Sequence, residues 1–219
     1  MRDVFNAQLE EMHEMLIHMG TLCETVIDGT YQALMKEDRE SAANIIAKDA
    51  EIDQMERDIE ELCLRLLLRQ QPVASDMRKV SAALKMITDM ERIGDQAADI
   101  AEIIKTGTLK APAETLGMGK MAQSTMKMVR DSINSFVNDD LELARQVINS
   151  DDIVDGEFSE IRHRLAEGLV NSSASQEQML DLLMIAKYYE RIGDHATNIA
   201  EWVVYSITGV HKSAELADK

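Results

Sequence analysis

Apolar residues return every three to four positions along six stretches: about Val4 to Met35, Ala42 to Leu68, Val80 to Ile104, Ala113 to Val137, Leu141 to Val170 and Gln176 to Ile207. That period predicts six amphipathic helices, because residues i, i+3, i+4 and i+7 share one helix face. Polar or breaker-rich segments separate them: LMKEDRES near residue 37, QQPVASD near residue 73, GTLKAPAETLG from Gly107 to Gly117, VNDDL and NSSASQ. Pro112 suits the first turn of the fourth helix, where its missing N–H would be unpaired anyway. The final GVHKSAELADK reads as a frayed tail.

The second three helices repeat the first three. DMERIGDQAADIAE, Asp89 to Glu102, lies over YYERIGDHATNIAE, Tyr188 to Glu201, without a gap at an offset of 99. Upstream the offset becomes 102, which sets Ile46, Asp49, Ile52 and Asp53 over Ile148, Asp151, Val154 and Asp155. The chain is therefore expected to be all-α, with one repeat at 1–108 and a second at 109–219. A duplicated helix triplet with one apolar face per helix most economically forms two tandem antiparallel three-helix bundles.

Composition agrees with a helical class. Two prolines, ten glycines and 4% aromatic residues leave little for turns or strands, while 45% of the chain is apolar. The formal charge of −17, from 40 acids against 23 bases, argues against nucleic acid as a direct partner, since such binding begins by neutralising phosphates. Cations and basic protein surfaces are the natural partners. No signal-peptide pattern opens the chain and no eighteen apolar residues run without a charge, so a cytosolic protein is expected. Cys23 and Cys63 fall about 18 Å apart along their paired helices, too far for a disulfide. They read as small buried apolar groups.

Acids spaced four apart recur on single helix faces: Asp49/Asp53, Glu91/Asp95/Asp99, Asp151/Asp155 and Glu190/Asp194. Forty acids would produce about seven such pairs by chance, so spacing alone signifies only a solvated face. Three features go further. The stripes occupy matched positions of both repeats. Glu91, Asp95, Asp99 and Glu102 border the apolar arc of Ile87, Met90, Ala97, Ala101 and Ile104, at the edge of the bundle face. Finally, Asp53 with Glu91 and Asp49 with Asp95 are equidistant from one point in QQPVAS, and Asp155 with Glu190 and Asp151 with Asp194 from one point in NSSASQ. Each antiparallel hairpin thus sets four carboxylates level, two facing two.

Carboxylates gathered without Lys or Arg repel one another unless a cation neutralises them. With oxygen donors only, the sites suit a hard divalent or ferric ion, Mg²⁺, Mn²⁺, Ca²⁺ or iron, and not thiolate zinc chemistry. The first set is Asp49, Asp53, Glu91, Asp95 and Asp99, extended by Glu56 and Glu60. The second is Asp151, Asp155, Glu190, Asp194 and Asn198, and it is poorer in charge because Asn198 stands at the place of Asp99 and Phe158 at that of Glu56. Gly94 and Gly193, each one residue before an acid, point to close helix approach.

The ERIGD segments, repeated in register with the acid pairs of the second helices, resemble the PhoU family of phosphate-uptake regulators, whose duplicated three-helix bundles carry Glu/Asp-x-x-x-Asp motifs. The resemblance spans about Val4 to Ile207. It implies a cytoplasmic, usually homodimeric, non-enzymatic metal-cluster protein that represses the phosphate-starvation response. It further implies contact with the ATPase subunit of the phosphate ABC transporter and with the sensor histidine kinase, so that membrane association runs through partners only. Two rivals remain from the residues themselves. A di-iron carboxylate enzyme would use Glu10-x-x-His13 and Glu160-x-x-His163, but their offset of 150 fits neither repeat. The other is a metal-buffering bundle without a signalling role. His195 projects away from Glu190 and Asp194 and is not their co-ligand. Methionines including Met77, Met86, Met90, Met118, Met121, Met126 and Met128 read chiefly as core filler.

Overall fold

A computed structural model describes residues 2–69, 73–107, 109, 116–171 and 176–210. Among these lie six helices and no strand: α1 (Arg2–Lys36), α2 (Arg39–Arg69), α3 (Ala74–Thr106), α4 (Met118–Val137), α5 (Leu141–Asn171) and α6 (Gln176–Thr208). The periodic segments match these helices closely, with one difference at a start. Helix α3 begins at Ala74, several residues before the apolar pattern, where Asp76 in the first turn favours the positive end of the helix dipole. Helix α4 is described from Met118, after Gly117 at φ 92°, a left-handed conformation that glycine adopts without cost; the expected start near Ala113 lies outside the described residues. Pro112 and the tail beyond residue 210 lie outside the described residues.

The same device makes the first turn of each repeat. Glu37 (φ 52°) and Asp139 (φ 53°), related by the offset of 102, turn the chain in the left-handed region. The next residue then caps the following helix. Asp38 Oδ1 accepts from the backbone N–H groups of Glu40 and Ser41 at 3.1 and 3.0 Å, and Asp140 Oδ1 from that of Leu143 at 2.9 Å. Each carboxylate satisfies helix-terminal donors that would otherwise be unpaired.

Helices α1, α2 and α3 pack on one another, as do α4, α5 and α6, giving two three-helix bundles. The bundles join along a seam of α3 against α6, with α1 beside α4. Helices α3 and α6 run antiparallel: Arg78 near the start of α3 donates to the Ser206 carbonyl near the end of α6 at 3.5 Å, while Gly107 after α3 lies beside Asp181. Two polar contacts reveal the symmetry. Asn198 donates to Asp89, and the Tyr188 hydroxyl hydrogen-bonds Asp99. Residues 89 and 99 correspond in the repeat to 188 and 198, so one approximate two-fold between α3 and α6 exchanges the two contacts.

One apolar interior runs through both bundles, including Met12, Leu16, Ile52, Leu62, Met86, Ile93, Ile100, Met121, Phe136, Ile185, Tyr189 and Ile199. Of the methionines singled out above, Met86, Met90, Met118, Met121 and Met128 are buried, whereas Met77 is 50% exposed on the outside of α3. Cys23 and Cys63 are free and buried, and burial raises both thiols to about 12. Cys23 Sγ lies against the Met90 carbonyl and Cys63 Sγ against Met12 Sδ, so both act as packing groups. No helix among the described residues is long and apolar enough to cross a membrane.

Candidate functional site

Helices α2 and α3 bring the first acidic set together. Residues 49 and 53 stand one turn apart on α2, and 91, 95 and 99 stand one turn apart on the facing edge of α3. Burial raises the Asp49 carboxyl to about 6, and Asp95, Asp53 and Asp99, in that order, add to the shift. Glu91 is raised by burial and then by Asp95, Glu56, Asp53 and Asp49. Asp95 is raised by burial, Asp53 and Asp99, opposed by Arg92 and His195. Each of these groups feels others across the hairpin, as the level pairing requires. Glu56 is raised by burial and Glu60 and is tempered by a hydrogen bond with Thr88.

Close approach of α2 and α3 depends on Gly94. A Cβ there would stand 2.8 Å from Asp49 Oδ1 and 3.0 Å from Ile52 Cδ1. Asp49 Oδ1 is buried without a hydrogen-bond partner. A buried carboxylate oxygen left bare is costly, and the cost is lifted either by a proton or by a cation. The donor set therefore fits a hard cation in kind, being oxygen throughout with an orphaned atom among its members. In the side-chain positions described, no three His, Cys, Asp or Glu groups among the described residues converge to hold an ion. Asp95 and Asp99 are exposed on α3, so their side chains have solvent space in which to turn.

The second set comes together in the same way but is weaker. Burial raises Asp151, which also feels Asp155, Asp152 and Glu190 and is tempered by a 3.1 Å hydrogen bond from Thr197. Asp194 is raised by burial, Glu190, Asp151 and Asp155, against Lys187. Sequence reasoning passed over Lys187. Its ammonium ion-pairs with Glu190 and lies 5.4 Å from the centre of the Phe158 ring, the residue that replaces Glu56. The second set thus carries an ion-paired lysine, whereas the first is opposed only at longer range, by cations such as Arg92.

Asn198 reaches across the seam. The repeat placed it with Asp194, but its Nδ2 donates to Asp89 Oδ1 at 3.1 Å across the seam. The same oxygen meets His195 Nδ1 at 2.9 Å. Asp89, absent from the sequence-based sets, is buried between α3 and α6. The seam contact has a geometric cause: Asn198 and its equivalent Asp99 lie toward the edge of the helix that meets the other repeat, and helical period alone does not reveal that neighbour. The two Glu-x-x-His pairs stay apart. His13 packs edge-on against Phe136 at 5.7 Å between ring centres, and His163 faces Glu167 on the exposed side of α5.

The PhoU domain family model matches this chain twice, over residues 16–104 and 118–203. A phosphate-specific transport system accessory protein PhoU homolog of Clostridium acetobutylicum is 36% identical over 219 residues, 99% of either chain. Its counterpart in Pseudomonas aeruginosa is 34% identical over 209 residues, 94% of this chain and 86% of the relative. The crystal structure of PhoU from Pseudomonas aeruginosa superposes with a TM-score of 0.86 at 33% identity, covering 94% of this chain and all of that one. That of the phosphate transport system regulatory protein PhoU from Streptococcus pneumoniae gives 0.86 at 27% identity, covering 94% and 98%. These relatives bear the names of accessory and regulatory proteins and not of enzymes, in keeping with the non-enzymatic reading of the sequence. With its two matched domains and its relatives along nearly the whole length, the chain belongs to the PhoU family.

Proposed function

We propose that this protein is a cytoplasmic, metal-responsive negative regulator of phosphate uptake that acts as a homodimer through the ATPase subunit of the phosphate transporter and the sensor kinase of the phosphate regulon. The relatives' names support the phosphate-transport part of this reading. The observation that carries the metal part is the first acidic set, where Asp49 Oδ1 is buried and bare among Asp53, Glu91, Asp95 and Asp99. A hard divalent or ferric ion there would offset the mutual repulsion and tie α2 to α3. Because α3 also forms the seam with α6, the loaded and empty states would differ at the junction of the repeats. A ligand that distinguishes two such states shifts their balance, which is what a regulator needs.

Two experiments test this. Deleting the gene should leave phosphate-starvation genes expressed in phosphate-rich medium; unchanged expression, in a strain with no second copy, refutes the regulatory reading. Manganese or ferric ion should raise the melting temperature of the parent more than that of Asp95→Asn, since only ligand bound to the folded state contributes. Asp194→Asn should alter the response less, because Lys187 already neutralises part of the second set. An equal response in parent and Asp95→Asn would return the acids to a solvated stripe.

A further inference from the structure

We propose that the groove between α4 and α5 docks a helix of a protein partner, which inserts an arginine beside Glu157 and an aliphatic side chain, two helical turns away, beside Val147. The proposal goes beyond the metal reading and does not depend on it.

Two hollows lie along this face of the second bundle. The larger, a cavity of about 570 Å³, opens between the start of α4 and the middle of α5, with Lys120, Asp152, Gly156, Glu157 and Glu160 among its walls. The smaller, of about 190 Å³, has Met128, Val147, Ser150 and Ile153 among its walls. Ile153 borders both and is 54% exposed, so the two form one groove. Gly156 leaves the larger hollow open, since a Cβ there would meet nothing within 4 Å.

Glu157 selects the occupant. Its side chain is only 8% exposed, and both neighbours that serve it go to one oxygen: Ser124 Oγ donates to Oε1 at 3.1 Å, and Lys120 Nζ lies 3.3 Å from the same atom. Oε2 is buried without a hydrogen-bond partner among the described residues. A carboxylate oxygen left so is costly until a donor reaches it. Lys120, itself 75% exposed, is a point charge on a flexible stem and covers Oε1 alone. A guanidinium carries two parallel N–H groups and can take both oxygens at once, releasing Lys120 to solvent. Asp152 and Glu160, one turn to either side of Gly156, add negative charge to the same cavity, while Arg164 is held by Glu160 at 2.8 Å.

Spacing selects the form of the partner. Ser150 and Glu157, one in each hollow, stand seven residues apart on α5, or about 10 Å. A helix returns to the same face after seven residues, whereas a strand does so at about 7 or 14 Å. One helix laid along α4 and α5 thus reaches both hollows, with its aliphatic residue against Met128, Val147 and Ile153. A chain of net charge −17 draws a basic partner in the first place. The fold does not require these residues: at the offset of 102 the first repeat has Glu51, Gln54 and Met55 in place of Ile153, Gly156 and Glu157.

The test uses the full chain and an alanine-based peptide locked as a helix by lactam bridges, with arginine, leucine and arginine at successive seven-residue intervals so that either chain direction presents the pair. Calorimetry should show saturable binding, and amide NMR shifts should centre on Lys120, Ile153 and Gly156. Glu157→Gln should bind about tenfold more weakly, whereas Glu61→Gln, which removes the same charge from an exposed site on α2, should bind as the parent does. Gly156→Leu fills the open hollow with a better helix former, so it should fold as well as the parent and also bind about tenfold more weakly. Equal losses in Glu157→Gln and Glu61→Gln would reduce the binding to general attraction between opposite charges and overturn the proposal. Full affinity in Gly156→Leu overturns the cavity as the site. A single capped arginine that binds as tightly as the peptide overturns the helical partner in favour of a free guanidinium ligand. Absence of saturable binding to the parent overturns the proposal and leaves the metal reading standing.

Discussion

Gly94 and Asp49 stand so close across the α2–α3 contact that a single methyl group would not fit between them: a Cβ at residue 94 would lie 2.8 Å from Asp49 Oδ1. Ile52, fully buried, closes the space on the other side at 3.0 Å. Alanine would gain about 1 kcal/mol of helix propensity over glycine, but forcing the helices apart costs about 1–3 kcal/mol. Gly94→Ala should therefore destabilise by up to about 2 kcal/mol in urea denaturation. Gly156 in α5 is the control, since a Cβ there meets nothing within 4 Å. Gly156→Ala should stabilise by about 0.5–1 kcal/mol. Equal effects at both sites would contradict the close approach.

Asp49 makes the metal-free protein sensitive to pH. Its carboxyl is raised to about 6, first by burial and then by Asp95, Asp53 and Asp99. A group whose folded pKa lies above its unfolded one contributes stability in full below the unfolded value, and loses it as pH rises through the folded value. The contribution should thus fade between about pH 4 and pH 7. In chelator at pH 7.5, Asp49→Asn should be more stable than the parent by on the order of 1–2 kcal/mol, and the gap should close at pH 4.5. A variant less stable than the parent at pH 7.5 would show that the charge is accommodated without a cation.

His13 has the opposite sign. Burial lowers its pKa, assisted by Lys79 and opposed by Glu10 and Asp139, and its Nε2 is buried without a partner against Phe136. The unfolded chain therefore takes up a proton below about pH 6.5 that the folded chain refuses, and stability falls with pH in that window. Comparison of wild type with His13→Leu isolates this group from the acids. The parent should lose up to about 1.4 kcal/mol more than the variant between pH 7.5 and 5.5. Parallel pH profiles would show that the ring is protonated without penalty.

Across the core, Tyr189 of α6 and Thr30 of α1 are both fully buried with their hydroxyls 2.8 Å apart. Thr30 Oγ1 also lies 2.6 Å from the Ile27 carbonyl, to which it donates, so in the pair it accepts from Tyr189. The two deletions should then differ. Tyr189→Phe leaves Thr30 with its donor still used and should cost about 1 kcal/mol, whereas Thr30→Val strands a buried phenol and should cost about 2 kcal/mol. Chemical denaturation of both single variants and the double variant measures the order; a larger loss in Tyr189→Phe would reverse the donor assignment.

Much of this architecture is legible without coordinates, for a local reason. A helix announces its buried face through period, so Ile87, Met90, Ala97, Ala101 and Ile104 are assigned to the interior correctly, and acids on the bordering arc fall at the edge of the bundle. The short connections from α2 to α3 and from α5 to α6, through QQPVAS and NSSASQ, leave antiparallel pairing as the simplest arrangement, and residues equidistant from such a connection then stand level. That is why Asp95 is found acting on Asp49, and Asp151 on Asp194. The turn chemistry itself, Glu37 with Asp38 and Asp139 with Asp140, repeats the same local logic.

What the sequence by itself determined, then, is the six helices, their duplication, their apolar faces and the pairing of acids within each hairpin. The tertiary structure alone decided how the two bundles meet. Asn198 looks like a member of the second acidic set until α3 is laid against α6, and it then donates to Asp89. His195 points away from Glu190 and Asp194, as its helix position requires, but only the seam shows that it points to Asp89. Lys187 reaches Glu190 within its own helix, yet its place over Phe158 depends on α5. Period and spacing are properties of one helix or one hairpin, where covalent connection limits the possible partners. The seam joins residues about a hundred positions apart, and its register follows from the fit of two whole surfaces, which no local pattern records.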